Sequence, residues 1–324
     1  MHTGGEPVRI VLKGYPEIPG ATILDKRRYA RDHLDHLRRI VIHEPRGHDD
    51  MYGVVPVAPD LPGADLAVLF LTNDGYSTMC GHAVIALGRW AVESGLVAPR
   101  EPETQVAIQC PCGLVTATVA VRNGRAGAVT FESVPAFAVA VDRDIEVPGL
   151  GHVTVDVGYG GAFYVLVPAA RARLDVSRSA VRDLVEVGDA IARAAERQIP
   201  LDHPDGGDLA FYYGTILTDG GDGAARPSTN VCVFADRQVD RSATGSGVTA
   251  RLAVEHARGR ARPGAEYRFR SLTGDVFTGR IGRSSTAGAR EAVTVLVGGR
   301  AYYTGRAQFT VEPDDPLGGG FRLG

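Results

Sequence analysis

Two short segments of the sequence carry residues that could support proton transfer. Cys80, Gly81 and His82 stand immediately before an apolar stretch of helical spacing, in TMCGHAVIALGRW (78–90). Thr244 takes the corresponding place in DRSATGSGVTARLAV (240–254), again ahead of a helical pattern. A thiolate is a competent base, whereas a threonine hydroxyl has no accessible anion near neutral pH without an adjacent base. The sequence therefore predicts one site made of two similar halves, of which only the first carries a thiol.

Both segments place these residues at the start of a helix. First-turn amides lack internal partners and carry partial positive charge, so a helix start binds anions and lowers the pKa of a cysteine located there. Two starts facing each other across a cleft would hold one carboxylate on the amides of Gly81, His82, Gly245 and Ser246. Asp240, at the rim of the same cleft, suits a substrate ammonium. The pattern indicates an α-amino-acid site, with the α-carbon between Cys80 and Thr244.

Each of these residues also has a purely structural interpretation. A cysteine that begins a helix is commonly a small buried hydrophobe, and Thr244 could be only an N-cap. His82 could satisfy a backbone carbonyl, and Asp240 could form a surface ion pair with Arg241. Taken singly, the structural interpretations are favoured. Taken as a duplicated set, with Cys and Thr in register, the residues favour catalysis.

The elements that must position the two segments repeat along the chain. A shift of 164 residues places Cys80 on Thr244 and Gly81 on Gly245. The apolar spacing predicts helices over 27–42, 81–94, 179–198 and 245–258. Runs rich in β-branched and aromatic residues predict strands at 8–12, 67–72, 116–121, 163–167, 211–217 and 292–297. The order of elements predicts a pseudo-symmetric α/β protein with an N-terminal lobe over 1–140 and a C-terminal lobe over 141–324, whose last strand returns to the first lobe.

Composition excludes several functional classes. A chain of 324 residues exceeds the usual size of one core. A formal charge of -3 gives no reason to expect nucleic acid or an anionic membrane as partner. No apolar run approaches the roughly 20 residues that span a bilayer, and the N-terminus lacks the pattern of a secretory signal. We therefore expect a cytoplasmic protein.

Cysteine and lysine usage argues against a metal centre and against pyridoxal phosphate. The four cysteines (Cys80, Cys110, Cys112 and Cys232) do not make a disulfide framework, and the CPC at 110–112 lacks the second ligand pair of a zinc site. Lys13 and Lys26, the two lysines, lie in no phosphate-binding context, so neither suits a Schiff base.

Five segments spread over nearly the whole chain resemble the proline racemase family. They are MCGH (79–82), DRSATGSG (240–247), HTGGEPVRIV (2–11), RGHDDMYG (46–53) and DVGYGGAFY (156–164). The resemblance implies an α+β fold similar to diaminopimelate epimerase, with two lobes that each form a β half-barrel around a central helix. It places the active site between the lobes and implies catalysis on proline or hydroxyproline without a cofactor.

The unequal pair of Cys80 and Thr244 resembles one branch of this family, because its racemases and epimerases carry a cysteine in both lobes. That branch implies a hydro-lyase of amino-acid catabolism that converts trans-3-hydroxy-L-proline to Δ1-pyrroline-2-carboxylate, with Cys80 taking the α-proton. Carried over by motif, Asp240 and His82 would hold the ring nitrogen. Tyr52 and Phe234 would line the pocket, and the four amides named above would bind carboxylate.

Two other functions remain open from the sequence. In a proline racemase or hydroxyproline 2-epimerase, Ser246, His82 or water would replace the missing second cysteine. A more remote alternative is a non-catalytic amino-acid binding protein that keeps the clamp of two helices. We also expect a homodimer.

Overall fold

The computed structural model describes residues 1–323, a mostly β structure with five α-helices in that range. The helices are α1 (Ile23–His33), α2 (Asp35–Ile42), α3 (Gly81–Glu93), α4 (Val181–Gln198) and α5 (Gly245–Ala257). The strands of the first half are β1 (His2–Thr3), β2 (Glu6–Pro7), β3 (Arg9–Ile10), β4 (Gly53–Val57), β5 (Leu66–Leu71), β6 (Tyr76–Ser77), β7 (Glu103–Cys110), β8 (Gly113–Arg122) and β9 (Arg125–Glu132). Those of the second half are β10 (Phe137–Val147), β11 (Gly151–Tyr159), β12 (Phe163–Pro168), β13 (Tyr212–Thr218), β14 (Ser228–Phe234), β15 (Gln238–Val239), β16 (Tyr267–Arg270), β17 (Val276–Ala287), β18 (Arg290–Gly299) and β19 (Ala301–Tyr302).

The strands form one large mixed sheet and one small sheet. The large sheet has 16 strands and runs β10-β11-β12-β13-β14-β16-β17-β18-β9-β8-β7-β5-β4-β3, with β15 beside β14 and β6 beside β5. Its two halves meet where β18 pairs with β9, in the register Val297↔Phe131. The small sheet has the order β19-β1-β2, so the segment after β18 pairs with the N-terminus of the chain.

Each half of the large sheet wraps around one buried helix, which confirms the predicted fold class of two pseudo-symmetric lobes. Helix α3 packs on β7, β8 and β9, and α5 packs on β10, β11, β17 and β18. Both helices have 13 residues, and the first eight residues of α3 and the first ten of α5 are all buried. Because the helices are apolar on nearly all sides, burial stabilises them by about 1.5–3 kcal/mol for each large side chain.

The outer helices close the apolar layers on the other faces of the sheet. α4 covers the second half, where Leu184 and Ile191 are fully buried. α1 and α2 cover the first half of the sheet. The prediction of a single helix over 27–42 is wrong. The chain breaks at Leu34, and α1 begins earlier because Thr22 and Asp25 form a capping box. Among the described helices, none is long and apolar enough to cross a membrane.

The predicted division between residues 140 and 141 falls inside β10, which pairs with β11. The chain passes from one half of the sheet to the other earlier, over 133–136, between β9 and β10. Residues 141–150 belong to β10 and to the turn that follows it. We therefore propose a lobe boundary at 133–136 in place of the predicted one.

Candidate active site

The two helix starts meet at the centre of the molecule. A Cβ atom added to Gly81 would lie 2.5 Å from the Cα of Gly245, and one added to Gly245 would lie 2.8 Å from the Cα of Gly81. Only glycine permits this approach of backbone to backbone. Within residues 1–323, the amides of Gly81, His82, Gly245 and Ser246 donate to no acceptor. The arrangement offers four free N–H groups and two helix N-termini to one anion.

Cys80 and His82 form a hydrogen-bonded pair at the first of these helix starts. Cys80 is the N-cap of α3, and its Sγ accepts from the amide of Ala83 at 3.4 Å. The same Sγ lies 3.0 Å from Nδ1 of His82. Nε2 of His82 lies 3.2 Å from the carbonyl oxygen of Pro7, which fixes Nε2 as the protonated nitrogen. Burial lowers the pKa of His82 to about 3, so the ring is neutral and Nδ1 accepts from the thiol.

The expectation that the helix start lowers the pKa of Cys80 is wrong for this geometry. Cys80 is buried, and burial raises the pKa of its thiol well above the usual value. The negative charge of Asp240 raises it further, as would a charge on Glu6, while the Ala83 amide and the Tyr52 hydroxyl offset only part of the rise. The low-dielectric environment, which has no nearby cation, raises the thiol pKa by more than the partial positive charge of the helix end lowers it.

Thr244 and Asp240 form the matching pair at the second helix start. Thr244 occupies the N-cap position of α5 but its side chain caps no amide, contrary to the cap that the sequence suggested. Its Oγ1 donates to Oδ2 of Asp240 at 2.8 Å, and Oδ1 accepts from the amide of Ser242 at 2.7 Å. The backbone of Thr244 has φ of 61°, a left-handed conformation that is strained for a β-branched residue.

Asp240 lies inside the site and not at its rim as predicted, since its residual exposure is only 4%. Burial raises its pKa to about 6. The hydrogen bonds from Ser242 and Thr244 lower the pKa but offset only part of this rise. A carboxylate in this position attracts a cation strongly because little solvent screens it.

A cavity of about 10 Å³ joins these groups. All nine residues proposed from the sequence line it: Cys80, Gly81, His82, Tyr52, Phe234, Asp240, Thr244, Gly245 and Ser246. Three lining residues were not predicted: Met79, Tyr164 and Tyr213. The Tyr164 hydroxyl lies 2.6 Å from Oγ of Ser246. The two tyrosines fall in strands that were predicted, but nothing in their local sequence marks them as facing the site.

Tyr213 and Phe234 separate this cavity from a larger one of about 200 Å³, because both residues line each cavity. Their rings lie 5.2 Å apart. His203 lines neither cavity, and its ring lies 4.7 Å from that of Tyr159.

The fold and this site define a two-lobed enzyme with a central cysteine, and comparison with known proteins supplies its family. The proline racemase family model matches residues 1–322, and the chain belongs to that family. The trans-3-hydroxy-L-proline dehydratase of Homo sapiens is 56% identical over 330 residues, which cover 100% of this chain and 93% of the human protein. A 3-hydroxyproline 2-epimerase of Burkholderia multivorans is 43% identical over 321 residues, covering 99% of this chain and 96% of that protein.

A solved structure agrees with the fold. The hydroxyproline epimerase of Agrobacterium vitis, crystallised with trans-4-hydroxy-L-proline, has a TM-score of 0.93 and 31% identity to this chain. The match covers 99% of this chain and 94% of that one. The similarity therefore extends over both lobes and the site between them.

Proposed function

We propose that this protein dehydrates trans-3-hydroxy-L-proline to Δ1-pyrroline-2-carboxylate, with Cys80 as the base that takes the α-proton. The name of the human relative, at 56% identity, supports the substrate and the type of reaction. The contacts of Cys80 and Thr244 support the assignment of the base.

Substrate binding would use charges that the site already presents. The carboxylate would accept from the four free amides of Gly81, His82, Gly245 and Ser246. The ring ammonium would lie against Asp240. Its positive charge would offset the negative charge that raises the pKa of the Cys80 thiol. Binding would thereby favour loss of the thiol proton to solvent and formation of the thiolate, while Nδ1 of His82, 3.0 Å from Sγ, stays unprotonated.

The elimination then needs one proton acceptor only. In the trans substrate the α-hydrogen and the 3-hydroxyl lie on the same face of the ring. The Cys80 thiolate takes the α-proton, and the C–H electron pair forms the C2–C3 double bond. The C3–O bond breaks, and the hydroxyl leaves as water with the proton from Sγ, which restores the thiolate. The enamine loses its N–H proton, gains one at C3 and becomes the imine. The helix starts stabilise the enolate-like charge of the carboxylate.

The hydrogen bond from Thr244 to Asp240, 2.8 Å long, is the observation that carries the proposal. The threonine hydroxyl gives its one hydrogen to a carboxylate, so it supplies no acid, and it has no base to remove that hydrogen while Asp240 holds the ammonium. Ser246 is likewise engaged with Tyr164. The face opposite Cys80 therefore lacks the second acid that racemisation or epimerisation requires.

A nuclear magnetic resonance time course in D2O tests the proposal against its rivals. We expect trans-3-hydroxy-L-proline to yield Δ1-pyrroline-2-carboxylate, while trans-4-hydroxy-L-proline and L-proline are not inverted. Deuterium at C2 with inversion and no loss of water would mean that the protein is an epimerase like its Burkholderia relative. Binding with no turnover of any of the three would support the non-catalytic alternative.

A further inference from the structure

Glu6 is a second buried carboxyl group that faces the same segment as Asp240. It lies in β2 and is fully buried. Its Oε2 accepts from the amide of Arg241 at 2.7 Å, while Asp240 accepts from the next amide, that of Ser242, also at 2.7 Å. Consecutive amide nitrogens are only about 3–4 Å apart. The two carboxyl groups are therefore neighbours, one from each lobe.

The other oxygen of Glu6, Oε1, is buried and has no hydrogen-bond partner among the described residues. The Arg241 guanidinium does not pair with it, because that group contacts Asp50 at 2.7 Å and the carbonyl of Val239 at 2.8 Å. An ionised carboxylate with an unpaired oxygen is far more costly to bury than a neutral acid. The contacts of Glu6 thus favour its protonated form.

The charges around Glu6 act in the same direction. Burial raises its pKa well above the usual value, and the negative charges of Asp240 and Asp50 raise it further, while Arg241 lowers it. A charge on Glu6 would also raise the pKa values of the Cys80 and Cys232 thiols. A proton on Glu6 therefore makes thiolate formation at Cys80 easier.

We propose that Glu6 is a positioning residue that acts through Asp240. As a neutral acid it anchors the Asp240 segment through the Arg241 amide and leaves Asp240 as the single negative charge that faces the substrate ammonium. The inference rests on the proposed function for the role of Asp240, but the protonation of Glu6 is a property of the folded protein alone.

Unfolding by urea at several pH values tests the protonation of Glu6. Between the ordinary pKa of a glutamate, about 4.3, and the raised pKa of Glu6 in the folded protein, the unfolded chain has lost this proton and the folded protein keeps it, so unfolding releases one proton. The unfolding constant of the wild type, divided by that of Glu6→Gln, should rise by up to tenfold per pH unit. A ratio that stays constant or falls would show that Glu6 is ionised when folded and would overturn the proposal.

Infrared spectra of the wild type provide a measurement that needs no Glu6 variant. A carbonyl stretch of a protonated carboxylic acid should be present at pH 7 and should persist in Asp240→Asn. Its absence from the wild type contradicts the inference.

Kinetics test the positioning role. Glu6→Ala removes the acceptor of the Arg241 amide, and we expect kcat/KM to fall more than tenfold, mainly through KM. Glu6→Gln keeps an uncharged acceptor and should rescue kcat/KM to within about threefold of the wild type. An equal loss in both variants would mean that the site needs the charge of Glu6. If no substrate is dehydrated at all, the proposed function fails while the unfolding result still decides the state of Glu6.

Discussion

Cys80 and Thr244 occupy equivalent places but have different hydrogen-bond partners. The thiol faces a neutral imidazole nitrogen at 3.0 Å, so its proton has an acceptor. The threonine hydroxyl faces a carboxylate and donates to it. The difference in chemistry between the two lobes therefore depends on the neighbours His82 and Asp240 as well as on the exchange of sulfur for oxygen.

Replacing the proposed base, Cys80, should abolish most of the activity. In Cys80→Ser we expect kcat to fall by about 10²–10⁴-fold, since a serine hydroxyl is not ionised near neutral pH and general bases contribute about that much. Steady-state assays of imine formation would measure the loss. Cys110→Ala is the matched control, because Cys110 is buried but does not line the cavity, and it should retain activity. A serine variant with near-normal turnover would exclude Cys80 as the base.

The carboxyl group of Asp240 should appear in the pH profile. Its pKa is raised to about 6, so the group is ionised above that pH and neutral below it. We expect kcat/KM to decrease as the pH falls through about 6, because a neutral acid no longer attracts the ring ammonium. In Asp240→Asn, kcat/KM at pH 8 should be lower by about 10–100-fold, the usual effect of losing a hydrogen bond to a charged group. A variant with wild-type kcat/KM at pH 8 would place the ammonium elsewhere.

The sequence could predict nine cavity residues because most of them stand at the start of a helix, where local pattern fixes their position. Tyr164 and Tyr213, which line the cavity, and Glu6, which lies beside Asp240, were missed because strand pairing places them. Glu6 is placed through the pairing of β1 with β2 and of β1 with β19. No local signal encodes such contacts, and the same holds for the burial that raises the pKa of Cys80.

The two central helices could likewise be predicted from periodicity, whereas the longest strands, β10 and β17, were not among the predicted runs. The helices predicted over 81–94 and 245–258 are confirmed as α3 and α5, each ending one residue earlier. The strand at 8–12 shrinks to Arg9–Ile10, and the other two-residue strands were missed. Such short strands exist only because a distant partner is present, so propensity cannot reveal them.

The contact between the two helix starts gives a prediction for Gly245→Ala. The added Cβ would lie 2.8 Å from the Cα of Gly81, so the two backbones must move apart. We expect kcat/KM to fall about 10²-fold, because the amides no longer converge on one carboxylate. The matched control is Gly127→Ala in β9, where the new Cβ meets its nearest atom at 3.5 Å, an ordinary contact. Equal kcat/KM values for the two variants would mean that the helix contact is not needed for binding.

At the scale of the whole molecule, the site is closed. A cavity of about 10 Å³ holds about one water molecule, so a pyrrolidine ring cannot enter unless the site opens, for example by separation of the lobes. Contacts across the cleft hold the lobes together beside the site: the Asn73 amide donates to Gln238, the Gln238 side chain donates to Met51, and Arg241 pairs with Asp50. The homodimer expected from the sequence stays a prediction, because the structure contains one chain.

The pair of Asp50 and Arg241 should control how often the site opens. Oδ1 of Asp50 also accepts from the amide of Val239 at 3.0 Å, so one side chain makes two contacts with the opposite lobe. Both partners of the ion pair are partly exposed, and the two contacts together stabilise closure by about 1–2 kcal/mol. Asp50→Ala should therefore raise the population of the open form by about 5–30-fold.

Alkylation of Cys80 by iodoacetamide would measure this opening, because the thiol is buried and reacts only when the site opens. We expect the rate in Asp50→Ala, followed by mass spectrometry of the Cys80 peptide, to rise by the same factor. Glu93→Ala is the control, since its ion pair with Arg89 lies within one lobe, and it should leave the rate unchanged. Equal rates in the wild type and Asp50→Ala would show that substrate reaches Cys80 by a route that does not separate these contacts. The route to test next would then be entry through the neighbouring cavity of about 200 Å³, by movement of Tyr213 and Phe234, which separate that cavity from the site.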